Sequence, residues 1–279
     1  MIAFIGSVFS PYYAWSGRHD PENHAALNVA LYGPRANRWA MTERPREAVC
    51  RDAEAFTVGP SRLAWHDDAR LVIDIRERGA PIPMAIEGRI TIHPEFFTEQ
   101  RFPLDPAGRH VWWPLTPRAR IEVRLTRPAL TWTGWSYLDT NAGAAPLEDD
   151  FERWDWSRTT FDDGAAILYN PTARAQGAKP LALWIANDGR AHTFTPPPDR
   201  PLPRTFWGVD RRTQTNLDEP HVIRTFEDSP FYARSLIESA LLGRRGVAIH
   251  ESLLLGRFRS PIVKAMLPFR MPRAYWQTR

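Results

Sequence analysis

Apolar and polar residues swap at period two in Leu71-Val72-Ile73-Asp74-Ile75-Arg76-Glu77 and in Arg120-Ile121-Glu122-Val123-Arg124-Leu125. That alternation turns one face of an extended segment inward and the other to water, and it predicts strands of an antiparallel sheet. Ala26-Leu27-Asn28-Val29-Ala30-Leu31-Tyr32 runs into Gly33-Pro34, and Ile86-Glu87-Gly88-Arg89-Ile90-Thr91-Ile92 into His93-Pro94, so each of these strands ends at a breaker. The opening Met1-Ile2-Ala3-Phe4-Ile5-Gly6 reads as one more strand. Two hairpins are predicted. In one, Trp154 to Phe161 and Ala165 to Tyr169 flank Asp162-Asp163-Gly164; in the other, Leu181 to Ala186 and Ala191 to Thr195 flank Asn187-Asp188-Gly189. Ser229 to Gly243 admits two readings. Pro230 and Gly243 fit helix caps, while Arg244-Arg245-Gly246 ahead of Val247-Ala248-Ile249-His250 fits a hairpin, the preferred reading. The proline run from Thr195 to Pro203 is predicted to be a stiff surface link.

Composition sharpens this picture. The 26 prolines and 16 glycines are spread over 279 residues, which favours many short segments over long helices. With 43% hydrophobic and 24% charged residues the chain is an ordinary globular sequence. The expected fold is all-β, in two packed antiparallel halves, 1–128 and 129–279, divided where the texture changes after Arg127-Pro128. No fixed-period repeat of solenoid type is found. The net charge of +4 is almost wholly arginine, since Lys179 and Lys264 are the only lysines. These arginines are scattered among carboxylates, as in Asp74-Ile75-Arg76-Glu77-Arg78, which speaks against a nucleic-acid partner but is compatible with contact to anionic lipid headgroups. Cys50 is the single cysteine, so an internal disulfide is excluded, and it is expected to be a small buried apolar residue. No stretch approaches the roughly twenty apolar residues of a spanning helix. The first residues lack a basic region and are expected to be neither signal peptide nor anchor.

Candidate chemistry is concentrated in one place. Half of the 12 tryptophans fall between Trp112 and Trp156, and His110, Tyr137 and Asp139 lie in the same stretch. A carboxyl group walled by aromatic rings loses solvation of its charged form and can hold a proton near neutral pH, and the rings can face a developing cation. Tyr137 and Asp139 share a face of an extended segment, whereas the adjoining Trp112 and Trp113 point to opposite faces. Each residue also has a plainer reading: His110 as a satisfied structural histidine, Asp139 before Thr140-Asn141-Ala142-Gly143 as a turn aspartate. Glu148-Asp149-Asp150 reads as a solvated loop or an arginine partner, although paired carboxylates near aromatics would also suit sugar hydrolysis. Phosphate-binding and dinucleotide fingerprints are absent. His250-Glu251-Ser252-Leu253 lacks the second histidine of a zinc-protease helix, so neither cofactor nor metal is expected.

Longer strings point further. Phe4-Ile5-Gly6-Ser7-Val8-Phe9-Ser10-Pro11-Tyr12-Tyr13-Ala14-Trp15, Asp20-Pro21-Glu22-Asn23-His24 and Leu27-Asn28-Val29-Ala30-Leu31-Tyr32-Gly33 resemble the opening signature of the carotenoid 1,2-hydratase family. Pro146 to Phe151, Trp154-Asp155-Trp156-Ser157-Arg158, His250 to Leu253 and Leu267-Pro268-Phe269-Arg270-Met271-Pro272-Arg273 extend the resemblance over nearly the whole chain. It implies a two-part, lipocalin-like β architecture and cofactor-free addition of water to the terminal C1=C2 bond of an acyclic carotene such as lycopene or neurosporene. It also implies catalytic roles for His110, Trp112, Tyr137 and Asp139. The family pattern starts earlier than the Ile2-Ala3-Phe4 strand, so the first half is expected to lack one strand of that pattern. In the expected mechanism Asp139 protonates the alkene, Tyr137 and Trp112 stabilise the tertiary cation, and His110 holds Asp139 or places the attacking water. The partners expected are an acyclic carotenoid, water and a membrane surface on its cytoplasmic side. A non-catalytic lipocalin-like carrier of apolar ligands and a carbohydrate-active enzyme are the rival readings.

Overall fold

A computed structural model describes residues 1–34, 36–175, 177 and 180–274. Strands occupy 56% of it, so the fold is all-β with antiparallel sheets, as the alternation predicts. The first eight strands are β1 (Ile2–Ile5), β2 (Ala25–Leu31), β3 (Arg38–Arg44), β4 (Val49–Arg51), β5 (Ala55–Val58), β6 (Ser61–Trp65), β7 (Leu71–Arg78) and β8 (Ala85–Pro94). There follow β9 (Phe102–Pro103), β10 (His110–Arg127), β11 (Ala129–Gly143), β12 (Phe151–Phe161), β13 (Gly164–Ala173), β14 (Leu181–Ala186) and β15 (Ala191–Thr193). The last are β16 (Asp199–Leu202), β17 (Arg211–Gln214), β18 (Val222–Asp228), β19 (Tyr232–Leu241) and β20 (Arg244–Leu254). The α-helices among the described residues are single turns or little more: α1 (Pro11–Trp15), α2 (Leu147–Asp150), α3 (Leu255–Phe258) and α4 (Pro261–Met266).

The chain groups into two compact units, residues 1–95, 118–137 and 264–279 in the first and 96–117 and 138–263 in the second. The division into 1–128 and 129–279 is drawn at the turn between β10 and β11, and both of those strands run through both units. No strand is predicted across Pro114 and Pro117, yet β10 continues through them. Thr98 supplies the missing partners there, its hydroxyl donating to the Pro114 carbonyl and its backbone N–H to that of Leu115.

In the first unit β1, β2 and β3 form one sheet, and the antiparallel meander β4 to β8 joins β10 and β11 in another. Ile73, Ile75, Ile86, Ile92 and Val123 supply its buried face. Two of the strings that carry the family resemblance, Asp20 to His24 and Leu267 to Arg273, meet in this unit. His24 Nδ1 lies 2.8 Å from Glu43 Oε1, Arg273 pairs with the same carboxylate, and Arg273 also donates to Asn23. Backbone bonds from Glu43 to Pro272 and from Ala274 to Glu43 lay the late Met271-Pro272-Arg273 segment along β3. Cys50, expected to be buried, is exposed, because β4 is the last strand of its sheet.

The second unit is built on a seven-stranded sheet in the order β15-β14-β13-β12-β20-β19-β18. Both predicted hairpins form, with Phe161 paired to Gly164 in one and Ile185 to Ala191 in the other. The ambiguous Ser229–Gly243 segment is a hairpin arm: β19 and β20 pair over their full length, and the chain reverses at Leu242 and Gly243, both with positive φ (54° and 74°). The proline run departs from its expected role as a surface link. Asp199–Leu202 is a strand paired with β17, and Leu202 is buried against Ile237 and Ala248.

One face of this sheet is buried yet polar, carrying Asp155, Ser157, Ser235, His250 and Ser252. His250 Nε2–H donates to the Arg212 carbonyl at 2.7 Å, and Ser252 donates to Asp155 at 2.5 Å. Burial pushes the His250 imidazole below the ordinary histidine range, against the opposing pull of Asp155. The unfolded chain binds this proton near pH 6.5, the folded chain only at lower pH. The contribution is therefore complete above about pH 6.5 and is lost as pH falls beneath it, by at most about 1.4 kcal/mol per pH unit. Thermal unfolding followed from neutral to mildly acidic pH should show a steeper loss for the wild type than for His250→Gln. Parallel curves would show that His250 is not the group responsible.

Candidate functional site

The site residues in the second unit are placed by strand alternation. Along the start of β10, His110, Trp112, Pro114 and Thr116 are buried, while the residues between them are half-buried. Trp112 is completely buried and Trp113 is not, so the adjoining indoles do face opposite ways. β9 pairs with β10 at Trp112 and sets Phe102 against its ring at 5.6 Å. The register of the β12–β13 hairpin brings Tyr169 opposite Trp156, on the face that also carries Trp154.

The aromatic groups make a continuous chain of contacts. Trp112 lies 5.5 Å from Tyr169, Tyr169 is 5.5 Å from Trp154, Trp154 is 6.1 Å from Phe151, and Phe151 is 5.1 Å from His110. Contacts of this kind contribute about 0.5–1.5 kcal/mol each beyond area burial. Asp139 meets this wall through its carboxylate, which accepts a hydrogen bond from Trp112 Nε1–H at 2.9 Å. Two residues on, the Asn141 side-chain oxygen accepts from the Tyr169 hydroxyl at 3.3 Å. Burial, together with the carboxylates of Asp139 and Glu251, drives the Tyr169 phenol well above its ordinary range, so it stays protonated and donates.

Two expectations change. Asp139 is exposed rather than buried, because β11 ends its sheet and its residues from Asp139 to Gly143 face solvent. His110 does not hold Asp139: its Nε2 is 2.6 Å from Asp150 Oδ2, and its backbone N–H donates to Asp105 at 2.7 Å. Tyr137 is half-buried on β11, two residues from Asp139 and on the same side of that strand. Within Glu148-Asp149-Asp150 the solvated-loop reading fails for Glu148, which is buried on α2, whereas Asp150 does serve as an arginine partner, to Arg109. Among the described residues no group of three or more His, Cys, Asp or Glu side chains is placed to hold a metal ion.

Tyr169 and Asn141 are the members that inspection of the sequence missed, and for Asp150 it missed the pairing with His110. Tyr169 could have been found from the turn at Asp162-Asp163, since a two-residue hairpin fixes the partner of Trp156. Asn141 gave no signal beyond lying in a polar run, and the carboxylate cluster that holds Asp150 gave none for a histidine partner.

Fold and site together define an all-β protein whose second unit presents a carboxylate at an aromatic wall. A family model described as carotenoid hydratase CrtC matches residues 1–279, and the chain belongs to that family. It is similar to the acyclic carotenoid 1,2-hydratase of Thiocapsa roseopersicina, at 50% identity over 278 residues, covering 98% of this chain and 68% of that protein. The enzyme of the same name from Rubrivivax gelatinosus is 45% identical over 279 residues, with 98% and 68% covered. That of Cereibacter sphaeroides is 43% identical over 275 residues, with 98% of both chains covered. Among solved structures, one from Nitrosomonas europaea carrying the AttH name superposes with a TM-score of 0.57 at 12% identity, covering 84% of this chain and 86% of that one, a likeness of fold alone.

Proposed function

We propose that this hydratase adds water across the terminal C1=C2 bond of an acyclic carotene such as lycopene or neurosporene, with Asp139 as the proton donor. As a hydro-lyase it must activate an isolated alkene, which offers no carbonyl to polarise, so a positioned acid has to act first. The observation that carries the assignment is the Trp112 Nε1–H bond to Asp139, which fixes one carboxyl group at the edge of a run of aromatic faces.

Proton delivery to C2, the less substituted carbon, leaves a tertiary cation at C1, and water then closes the reaction as a tertiary alcohol. An apolar chain end laid over Asp139 would displace the water that solvates it, which favours the neutral, proton-bearing carboxyl. Trp112 and Tyr137 are assigned to the cation, a contribution of about 2 kcal/mol or more for a desolvated ring. Incubation with lycopene should give a product heavier by one water. Recovery of bound but unchanged lycopene would support the carrier reading instead.

Peripheral attachment to the cytoplasmic face of a membrane belongs to the same proposal, because the substrate dissolves in lipid. No helix among the described residues is long and apolar enough to cross a membrane. Support comes from Phe206, 94% exposed beside Trp207 on a loop whose carbonyls at Trp207 and Gly208 accept from Arg257. Aromatic and arginine side chains together suit a headgroup interface. The protein should float with anionic vesicles at low salt and be released by high salt; failure to float at low salt would count against attachment.

A further inference from the structure

His110 is held from three directions. Its Nε2 is bonded to Asp150, its backbone N–H to Asp105, and its ring packs on Phe151. Asp150 is nearly buried, 10% exposed at the side chain against 3% for His110, and its other oxygen accepts from Arg109. A carboxylate fixed on one imidazole nitrogen decides where the ring keeps its proton, and leaves the opposite nitrogen as an acceptor.

The opposite nitrogen has room. Gly143 lies on β11 beside it, and a Cβ there would stand 3.0 Å from His110 Nδ1. Gly143 is not among the positive-φ glycines, so backbone conformation does not call for a glycine at this position. What its missing side chain provides is space at Nδ1. His110 also sits two residues from Trp112 on the same side of β10, about 7 Å along the strand. Trp112 in turn holds Asp139. Through that bond the acid is tied to the strand that carries His110, so an acid and a base are offered to the two ends of one addition.

We propose that Asp150 and Gly143 make His110 the general base of the hydration: Asp150 as a positioning residue that keeps the proton on Nε2, Gly143 as the opening that admits water to Nδ1. The proposal rests on the reading of Asp139 as the acid. Asp139 passes its proton to C2, leaving a carboxylate and a cation at C1. Water held at His110 Nδ1 forms the C1–O bond as one of its O–H bonds breaks and that proton moves to Nδ1. The product leaves as a neutral tertiary alcohol. The imidazolium, paired with Asp150, then returns its proton through solvent to the Asp139 carboxylate, so alkene plus water gives alcohol with both groups restored.

The ionisable groups on the elements around His110 are Asp150, with Glu148 and Asp149 beside it on α2, Asp105 and Arg109 before β10, Asp139 on β11, and Glu152, Arg153, Asp155 and Arg158 on β12. Burial works to raise the Asp105 carboxyl, but backbone N–H groups of His110 and Arg109 outweigh it and hold it below the usual range, so it remains an anion. Asp150→Asn removes one charge from this set. It should lower kcat on the order of 100-fold, leave KM within roughly threefold, and move the acidic limb of the kcat profile to lower pH. A purely structural pairing would move none of these in a protein that still folds.

Gly143→Ala, which fills the space at Nδ1 and leaves Asp150 in place, should lower kcat at least about tenfold with little change in thermal midpoint. Nitrogen-15 spectra of the histidine ring report on the dyad independently of Asp139. The proposal requires a neutral ring protonated at Nε2 over the active pH range, and a mixture of tautomers in Asp150→Asn. A doubly protonated His110 throughout that range overturns it, as does wild-type kcat in folded Asp150→Asn or in Gly143→Ala. If Asp139→Asn keeps its turnover, the acid assignment fails, while these ring spectra still decide the state of His110.

Discussion

Replacing Asp139 with asparagine should lower turnover of lycopene by on the order of 10²–10⁴-fold, the contribution expected of a general acid. Asparagine can still accept the Trp112 N–H bond through its amide oxygen, so the geometry survives while the transferable proton does not. The side chain is exposed at the end of a sheet, and its replacement should cost little stability. Turnover measured beside the thermal midpoint separates the two effects. A large loss of activity at an unchanged midpoint is expected, and near-normal turnover would remove Asp139 from the mechanism.

Trp112→Ala should show the opposite balance. Trp112 is completely buried between Phe102 and Tyr169, so truncation opens a large cavity and costs about 3–5 kcal/mol. For a chain of this size that corresponds to a fall in melting temperature of about 6–20 °C. Trp112→Phe keeps a ring in place but loses the N–H that holds Asp139. It should melt much closer to the wild type and still hydrate poorly. If Trp112→Phe hydrated at the wild-type rate, the indole N–H would have no part in positioning the acid.

The β architecture was legible wherever one face of a strand is solvated, because burial on one side writes itself as period two. β7 and β8 lie within one or two residues of their predicted spans for this reason. The hairpins were legible from Asp-Gly turn chemistry. Of β10, the alternation from Arg120 to Leu125 was legible but the passage through Pro114 and Pro117 was not, since prolines read as breaks and the carbonyls there are met from distant segments by Thr98 and Arg158. Cys50 was misread because local sequence does not tell an edge strand from a central one.

Of the candidate site, Trp112 and Asp139 were named from sequence and are hydrogen-bonded to one another. The surroundings of Asp139 were not legible: the tryptophans nearby in sequence suggested burial, while exposure depends on the order of strands in the sheet. The Asp150 partner of His110 was equally hidden, being set by the single turn of α2 after β11.

Acid-initiated hydration is most directly tested by running the reaction in heavy water and locating the label. The wild type should yield a product with its hydroxyl on C1 and a single deuterium on C2, and Asp139→Asn should yield almost none. A hydroxyl on C2, or a C1 alcohol without solvent deuterium at C2, would contradict protonation of the alkene by Asp139.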